Sequence, residues 1–245
     1  MPRILAPFTL ILLLTACGDG EPLLPPDAVL PDGGRYRGDV IDGLLQGEGR
    51  IDYANGSWYA GQFKDGQSEG QGKWRGANGE TYVGQFHQGL FEGQGTLTYS
   101  DGSRYEGAFK QGRLHGEGHL SQGGLSYRGE FRDDKYHGLG TLEWGTGNSF
   151  QGRFVRGEPR GEGVRLVNGN QYSGTFGKGG LSGEGSYRGA EGDRYSGGFK
   201  NEQFHGKGRF QNADGDVWRG QFHDGALQGK GEFRGTDGSH YQGEF

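Results

Sequence analysis

The sequence is poor in the residues that build an ordinary hydrophobic core. Only 30% of its 245 residues are hydrophobic, whereas 56 are glycine, and average glycine usage is about 7%. Such a chain normally stays disordered, because it cannot bury enough apolar surface to offset the entropy lost on folding. The composition therefore argues against a conventional single-core enzyme domain.

Cysteine and clustered positive charge are also scarce. The single cysteine, Cys17, excludes a disulfide within the chain and a cysteine-based zinc site. The net charge is −5 and there is no run of lysine or arginine, which argues against nucleic acid as a partner. Aromatic residues, by contrast, make up 13% of the chain, so we expect an ordered structure whose order comes from a repeat.

The N-terminus carries a processing signal. An apolar run at residues 4–14 follows Arg3 and precedes a small-residue junction, which is typical of a secretory signal and too short to span a membrane. Residues 14–17 (LTAC) resemble the lipobox of bacterial lipoproteins. That resemblance implies a signal peptide at residues 1–16, cleavage before Cys17, and acylation of Cys17 by chains such as palmitate; the alternative is a plain cleavable signal. Gly18, in place of aspartate, favours the outer membrane.

Residues 17–35 are predicted to hold the next domain away from the membrane. Four of the seven prolines lie in residues 21–32. Proline-rich stretches favour the extended polyproline II conformation and lack backbone donors. We therefore interpret this segment as a semi-rigid tether that follows the acylated cysteine.

A repeat begins at residue 36 and continues to the end of the chain. A pentad of the form aromatic-x-Gly-x-Phe recurs every 22 or 23 residues, after a first copy that ends in Val40. A Gly-x-Gly motif lies between successive pentads, from Gly47-x-Gly49 to Gly229-x-Gly231. The pentads begin at Tyr36, Tyr59, Tyr82, Tyr105, Tyr127, Phe150, Tyr172, Tyr195, Trp218 and Tyr241. This regularity defines a repeat architecture.

Within each unit the period is two, which predicts strands rather than helices. Tyr105, Gly107 and Phe109 share one face of a strand. Turn signals separate the strands, so we predict one antiparallel meander of hairpins. The glycines would leave room for rings lying across neighbouring strands, and Gly107→Val should clash with such a ring. The turn signals are Asn55-Gly56, Asn78-Gly79, Asp101-Gly102, Asn168-Gly169, Asp214-Gly215 and Asp237-Gly238.

The units resemble MORN repeats, which share the Tyr-x-Gly-x-Phe, Gly-x-Gly and Asn/Asp-Gly-x-x-Tyr elements. The resemblance covers residues 36–245 as nine units and a terminal half unit; Val40, Phe150, Trp218 and Pro159 depart from the pattern. It implies an all-β fold, an elongated single-layer antiparallel β-meander with a groove along one face. The candidate binding residues are the aromatics of that groove, namely Tyr59, Tyr82, Tyr105, Tyr127, Tyr172 and Tyr195.

Polar residues beside the Gly-x-Gly motifs give little sign of catalysis. His115, His137 and His205 occupy the same place in their units, but equivalent residues of successive hairpins lie two strands apart, about 9–10 Å, too far to share a metal ion. No carboxylate pair is distinguished as an acid and a base. We therefore predict no enzymatic activity, no metal ion and no cofactor. The repeated carboxylates are Glu48, Glu69, Glu92, Glu117, Glu162 and Glu184.

A column of basic residues after the pentads supplies one alternative. Lys64, His87, Lys110 and Arg132 are interleaved with acidic residues, so their net field is small. The family resemblance implies that such a column would bind acidic phospholipid headgroups. The groove aromatics could instead stack the sugars of peptidoglycan or an exopolysaccharide.

The sequence thus predicts a lipid-anchored protein of the bacterial cell envelope, placed in the outer membrane, whose repeats act as a non-catalytic protein-binding scaffold. The alternative is a module that binds an envelope glycan or phospholipid headgroups. Because the pentad at residues 241–245 has no following Gly-x-Gly strand, we also expect a weak homodimer, or capture of a partner strand, through this C-terminal edge.

Overall fold

The computed structural model describes residues 28–30 and 33–245. Every regular element in these residues is a β-strand, and the described chain contains no helix that could cross a membrane. It divides into two compact units. The first ends at Gly123 and includes Phe131–Asp134, and the second consists of Gly124–Glu130 and Lys135–Phe245.

The first unit is an antiparallel sheet in which consecutive strands pair. Its strands are β1 (Ala28–Val29), β2 (Arg35–Ile41), β3 (Leu44–Asp52), β4 (Trp58–Lys64), β5 (Gln67–Arg75), β6 (Thr81–His87), β7 (Leu90–Thr98), β8 (Arg104–Lys110) and β9 (Arg113–Gln122).

The second unit repeats the same arrangement. Its strands are β10 (Leu125–Arg132, of which residues 125–130 belong here), β11 (Lys135–Trp144), β12 (Asn148–Val155), β13 (Glu158–Val167), β14 (Asn170–Gly177), β15 (Gly180–Arg188), β16 (Arg194–Lys200), β17 (Gln203–Gln211), β18 (Val217–His223), β19 (Ala226–Arg234) and β20 (His240–Glu244).

The predicted fold class, an all-β antiparallel meander of repeated hairpins, is confirmed in each unit. One element differs from the expectation for the tether. Ala28 pairs with Tyr36, so β1 adds a short strand to the edge of β2, and Leu30 is buried with only 2% of its surface exposed. A short added strand covers backbone groups that an open edge would present to other chains.

The two glycines of each Gly-x-Gly motif have different structural roles. In β5 the first, Gly70, has a φ of +62°, a value that residues with a side chain rarely adopt. It lies at a register shift, where Gly61 pairs with Gly72 and the next pair is Gln62 with Glu69. The second, Gly72, lies under a ring, because a Cβ there would be 2.5 Å from Cε2 of Tyr59. The repeat therefore needs glycine at both positions.

Two kinds of turn join the strands. In the first kind, as at the predicted signal Asn78-Gly79, only the glycine has a positive φ, in a loop where Gly79 N donates to Gly76 O. The second kind has two successive residues of positive φ, as at Asp65-Gly66 after a pentad, +50° and +79°, and at the predicted signal Asn168-Gly169, +51° and +78°. Two such residues match the type I′ turn that suits the twist of paired strands.

One face of each sheet carries the core. In the first unit Tyr82 stacks on Phe91 with ring centroids 3.8 Å apart, and it meets Phe86 and Phe109 edge to face, each at 5.1 Å. The second unit repeats this cluster around Tyr195. The opposite face is solvent-exposed, which leaves it as the broad surface available to a partner.

Candidate functional site

The predicted binding tyrosines lie mostly in the core. Tyr59, Tyr82, Tyr105, Tyr127 and Tyr195 are buried, whereas Tyr172 is half-buried. In the buried five, the hydroxyl donates to a backbone carbonyl three residues ahead, over 2.8–3.0 Å. Rings held in this way fill the space between strands, and their role in binding a ligand stays a prediction. Cys17, the predicted acylation site, lies outside the described residues.

Burial also controls the ionisation of these hydroxyls. It raises the pKa of Tyr36 and of Tyr195 to about 12, and it raises the pKa of Tyr59, Tyr82 and Tyr105 still further. Carboxylates nearby, such as Asp39 beside Tyr36, raise the pKa in the same direction. These hydroxyls are therefore neutral at physiological pH and serve as fixed hydrogen-bond donors.

Two of the repeated carboxylates, Glu69 and Glu92, stabilise turns. Glu69 lies 3.0 Å from Nδ1 of His87 and accepts a hydrogen bond from the backbone N–H of Gln88. Both contacts hold the pKa of Glu69 below its ordinary value, with the histidine contact contributing most. Glu92 accepts the backbone N–H of Gln111 in the same way, over 2.8 Å. These contacts give Glu69 and Glu92 a structural role, and the absence of catalysis stays a prediction.

The candidate histidines and the basic column differ in solvent exposure. His115, His137 and His205 are half-buried, and His205 lies beside His223 of the adjacent strand. The basic column is exposed at the ends of the pentad strands, namely Lys64, His87, Lys110 and Arg132. Of these four, His87 makes the 3.0 Å contact with Glu69 described above.

The exposed face of the first unit carries a cluster that sequence reasoning missed. Two rows of residues run across β2–β5, with each member paired to the next across the strands. The first row is Arg35, Asp52, Trp58 and Arg75, and the second is Arg37, Arg50, Ala60 and Lys73. We call these eight residues the Arg/Trp face; it holds five cations and one carboxylate. Aligning the outward positions of successive strands would have revealed it.

Contacts within the Arg/Trp face fix its centre. Arg50 donates from Nε and Nη2 to the carboxylate of Asp52, with Nε 2.9 Å from Oδ2. The guanidinium of Arg50 also lies over the ring of Trp58, 4.5 Å from its centroid. The hydrogen bonds from Arg50, together with the charges of Arg50 and Arg37, hold the pKa of Asp52 below its ordinary value. The carboxylate is thus engaged by arginine, and the net charge of the face is positive.

A groove in the second unit coincides with departures from the repeat. Its volume is about 320 Å³, and Trp144, Phe150, Pro159 and Lys178 line it. Pro159 occupies the repeat position that Leu45 occupies in the first unit, where most units have a large apolar residue. Arg165 occupies the position of the buried Ile51. The smaller proline leaves space that a leucine or phenylalanine would fill.

Arg165 closes one side of this groove. It forms a two-pronged ion pair with Glu202, in which Nη2 and Oε2 are 2.6 Å apart, and its guanidinium lies 5.1 Å from the centroid of the Tyr172 ring. The Nε of Arg165 is buried without a hydrogen-bond partner. The sequence signal for this groove is a charged residue, Arg165, at a core position of the repeat; of the residues that line it, the sequence prediction singles out only Phe150 and Pro159.

Comparison with protein families and known structures gives one strong result. The family model described as MORN repeat matches residues 36–58, 59–81, 82–104, 105–123, 127–149, 150–171, 195–217 and 218–240. These matches cover well over half of the chain. The comparison with curated proteins found no match.

Solved structures show only distant likeness. The TCP10 domain of Danio rerio CPAP in complex with a STIL peptide is 11% identical, covering 89% of this chain and 98% of that one, with a TM-score of 0.31. The TCP domain of SAS-4 in complex with a proline-rich motif of Ana2, from Drosophila melanogaster, is 13% identical over 96% and 99%, with a TM-score of 0.20. Virginiamycin B lyase from Staphylococcus aureus is 9% identical over 89% and 83%, with a TM-score of 0.16. TM-scores this low carry no argument about the chain.

Proposed function

The chain belongs to the MORN-repeat family, and from this premise we propose that it is a lipid-anchored envelope protein whose repeats form a non-catalytic scaffold for another protein. Tandem repeats stacked into sheets offer extended surfaces, and such surfaces are the usual means by which repeat proteins bind partners. The proposed anchor is the acylated Cys17, and the proposed location is the outer membrane.

The Arg/Trp face carries this proposal. Arginine and tryptophan are the residues that most often dominate binding energy in protein interfaces, and here Arg50 holds Trp58 in place on a half-buried, solvent-facing surface. Five cations around one paired carboxylate favour a partner whose surface is acidic. The rigid strands position these side chains before binding, which lowers the entropy lost when a partner docks.

Charge reversal on this face tests the proposal. Lys73 and Arg75 are exposed on β5, so the double variant Lys73→Glu/Arg75→Glu should fold normally. We expect it to retain less than about a tenth of the protein partner that the parent captures from detergent-solubilised envelopes, because opposed like charges cost several kcal/mol. Capture is measured by affinity purification followed by mass spectrometry.

The matched control reverses two exposed arginines of the second unit. Arg188 and Arg194 form a cross-strand pair, and Arg188→Glu/Arg194→Glu should capture the partner as the parent does. Equal loss in both variants would show that charge alone, rather than this face, controls binding. Retention of anionic phospholipid vesicles without any protein partner would instead favour headgroup binding.

Lipid anchorage has a separate test. Cys17→Ser removes the thiol that acylation requires, so we expect the variant to leave the membrane fraction, because several acyl chains give a stable membrane anchor. Fractionation of envelopes with and without labelled palmitate measures this. A variant that still sediments with the envelope and resists high salt would rule out lipidation as the anchor.

A glycan is the second candidate ligand, and the groove of the second unit favours it. An indole at Trp144 beside the Arg165–Glu202 ion pair combines an apolar surface with fixed polar groups, which is the composition of small-ligand sites. Binding of soluble peptidoglycan fragments that Trp144→Ala abolishes would support this candidate.

A further inference from the structure

The second unit contains a side-chain cluster suited to a metal ion. His205 on β17 and His223 at the end of β18 have ring centroids 5.1 Å apart, and Asp224 follows His223 in the turn. One donor atom from each of the three residues lies within 4.8 Å of the others. Among the described residues, this is the one group of three or more histidine, cysteine or acidic side chains with such spacing.

The strand register explains why the cluster forms here. Gly206 pairs with Phe222, so the residues one position outward, His205 and His223, are neighbours on adjacent strands. The equivalent neighbours in the first unit are Glu69 and His87, at 3.0 Å. Adjacent strands are only about 4.8 Å apart, so two ligands can meet within one hairpin step, whereas equivalent residues of successive units cannot. The prediction of no shared metal considered only the longer separation.

The environment of His205 adds an independent observation. Its Nδ1 is buried and has no hydrogen-bond partner, and buried polar atoms are normally satisfied by protein, water or an ion. Nδ1 of His115 is also buried without a partner, but His115 belongs to no three-ligand group among the residues described. Among the described residues, His205 is therefore the histidine that has both a buried nitrogen without a hydrogen-bond partner and two further ligand side chains close by.

We propose that His205, His223 and Asp224 bind a divalent transition-metal ion, with zinc as the expected occupant and water completing the coordination. Two imidazoles and one carboxylate are a donor set that zinc accepts in tetrahedral sites. At zinc bond lengths, tetrahedral donors lie about 3.3 Å apart, and Nδ1 of His223 is already 3.2 Å from Oδ2 of Asp224. His223 and Asp224 have 60% and 63% of their side chains exposed, so they can turn toward His205.

Zinc binding to the tag-free full chain tests the site. Equilibrium dialysis against zinc chloride, with the bound metal measured by mass spectrometry, should show one more zinc ion per parent chain than per chain of His205→Gln or His223→Gln. We expect either variant to lower the affinity for zinc at least about tenfold. Removing a residue that only hydrogen-bonds to a metal ligand already lowers metal affinity by about 10- to 100-fold, and these two histidines are ligands themselves. Asp224→Asn should also weaken binding.

The control is His87→Gln. His87 occupies the same strand position, pairs with a carboxylate, and has 57% of its side chain exposed, but it lacks a second histidine, so this variant should bind zinc like the parent. Excess calcium should not displace the zinc, because calcium prefers oxygen ligands. If His205→Gln fails to fold, as circular dichroism would show, the exposed His223→Gln decides. Unchanged affinity in His223→Gln or Asp224→Asn, an equal loss in His87→Gln, or displacement by calcium would overturn the proposal.

Discussion

Gly107→Ala is expected to destabilise the first unit by about 3 kcal/mol, the upper end of the cost of overpacking. A Cβ at Gly107 would lie 2.5 Å from Cα of Gly118, 2.6 Å from the carbonyl oxygen of Glu117 and 2.6 Å from the hydroxyl of Tyr105. Two of these atoms are backbone, so relief requires the strands to separate. Urea unfolding followed by circular dichroism measures the change.

A second strand glycine provides the control. Gly177 ends β14, its φ lies outside the left-handed region, and a Cβ there would meet nothing within 4 Å. Gly177→Ala should therefore change the free energy of unfolding by less than about 1 kcal/mol, with a small gain from the restricted unfolded chain. Equal destabilisation by the two substitutions would mean that the loss of glycine itself, rather than the clash, sets the cost.

The repeat made much of the fold predictable from the sequence, and Gly107 illustrates the physical reason. Period-two patterning and regular spacing specify strands and their order, because one register error would turn every ring to solvent. The predicted close approach of a ring at Gly107 agrees with the 2.6 Å position of the Tyr105 hydroxyl. The backbone conformation of the turns was harder to predict from the sequence. Asp65-Gly66 carries the Asp-Gly pair that favours a tight hairpin, but the equivalent turn at Asp133-Asp134 also has two positive φ values, +49° and +65°, and contains no glycine that would indicate them.

The candidate sites were harder to predict because they depend on which residues face each other across strands. Arg50 and Trp58 are eight positions apart in the sequence and lie on different strands, and the pairing of β3 with β4 brings them together. His205 and His223 are eighteen positions apart for the same reason. A comparison of equivalent positions between units, which defines the repeat, does not show such pairs.

Replacing a core tyrosine should have an equally large effect. Tyr195 is 2% exposed, stacks on Phe204 at 3.9 Å and donates from its hydroxyl to the carbonyl of Gly198 over 2.9 Å. We expect Tyr195→Ala to cost about 3–5 kcal/mol, as for other large core side chains, and Tyr195→Phe to cost about 1 kcal/mol for the lost hydrogen bond. Tyr241 makes the same bond to Glu244 but is 48% exposed, so Tyr241→Ala should cost less than about 1 kcal/mol.

The pH dependence of Tyr195→Phe separates burial of the hydroxyl from packing of the ring. Because burial raises the pKa of Tyr195 from 10.0 to about 12, the folded state favours the neutral phenol. The stability that this tyrosine contributes is complete below pH 10 and is lost as the pH rises toward 12, with a slope of up to about 1.4 kcal/mol per pH unit. Phenylalanine has no proton to lose, so the parent's advantage over Tyr195→Phe should shrink above pH 10 and then reverse.

Urea unfolding of both proteins between pH 8 and pH 11.5 measures this difference, in which the titration of lysines and of the other tyrosines cancels. A constant gap across this range would mean that the phenol ionises equally in the folded and unfolded chains. Tyr195 would then have to be accessible to water. A closing gap would instead show that the ring of Tyr195 is held inside its sheet at neutral pH, where its hydroxyl cannot contact a partner.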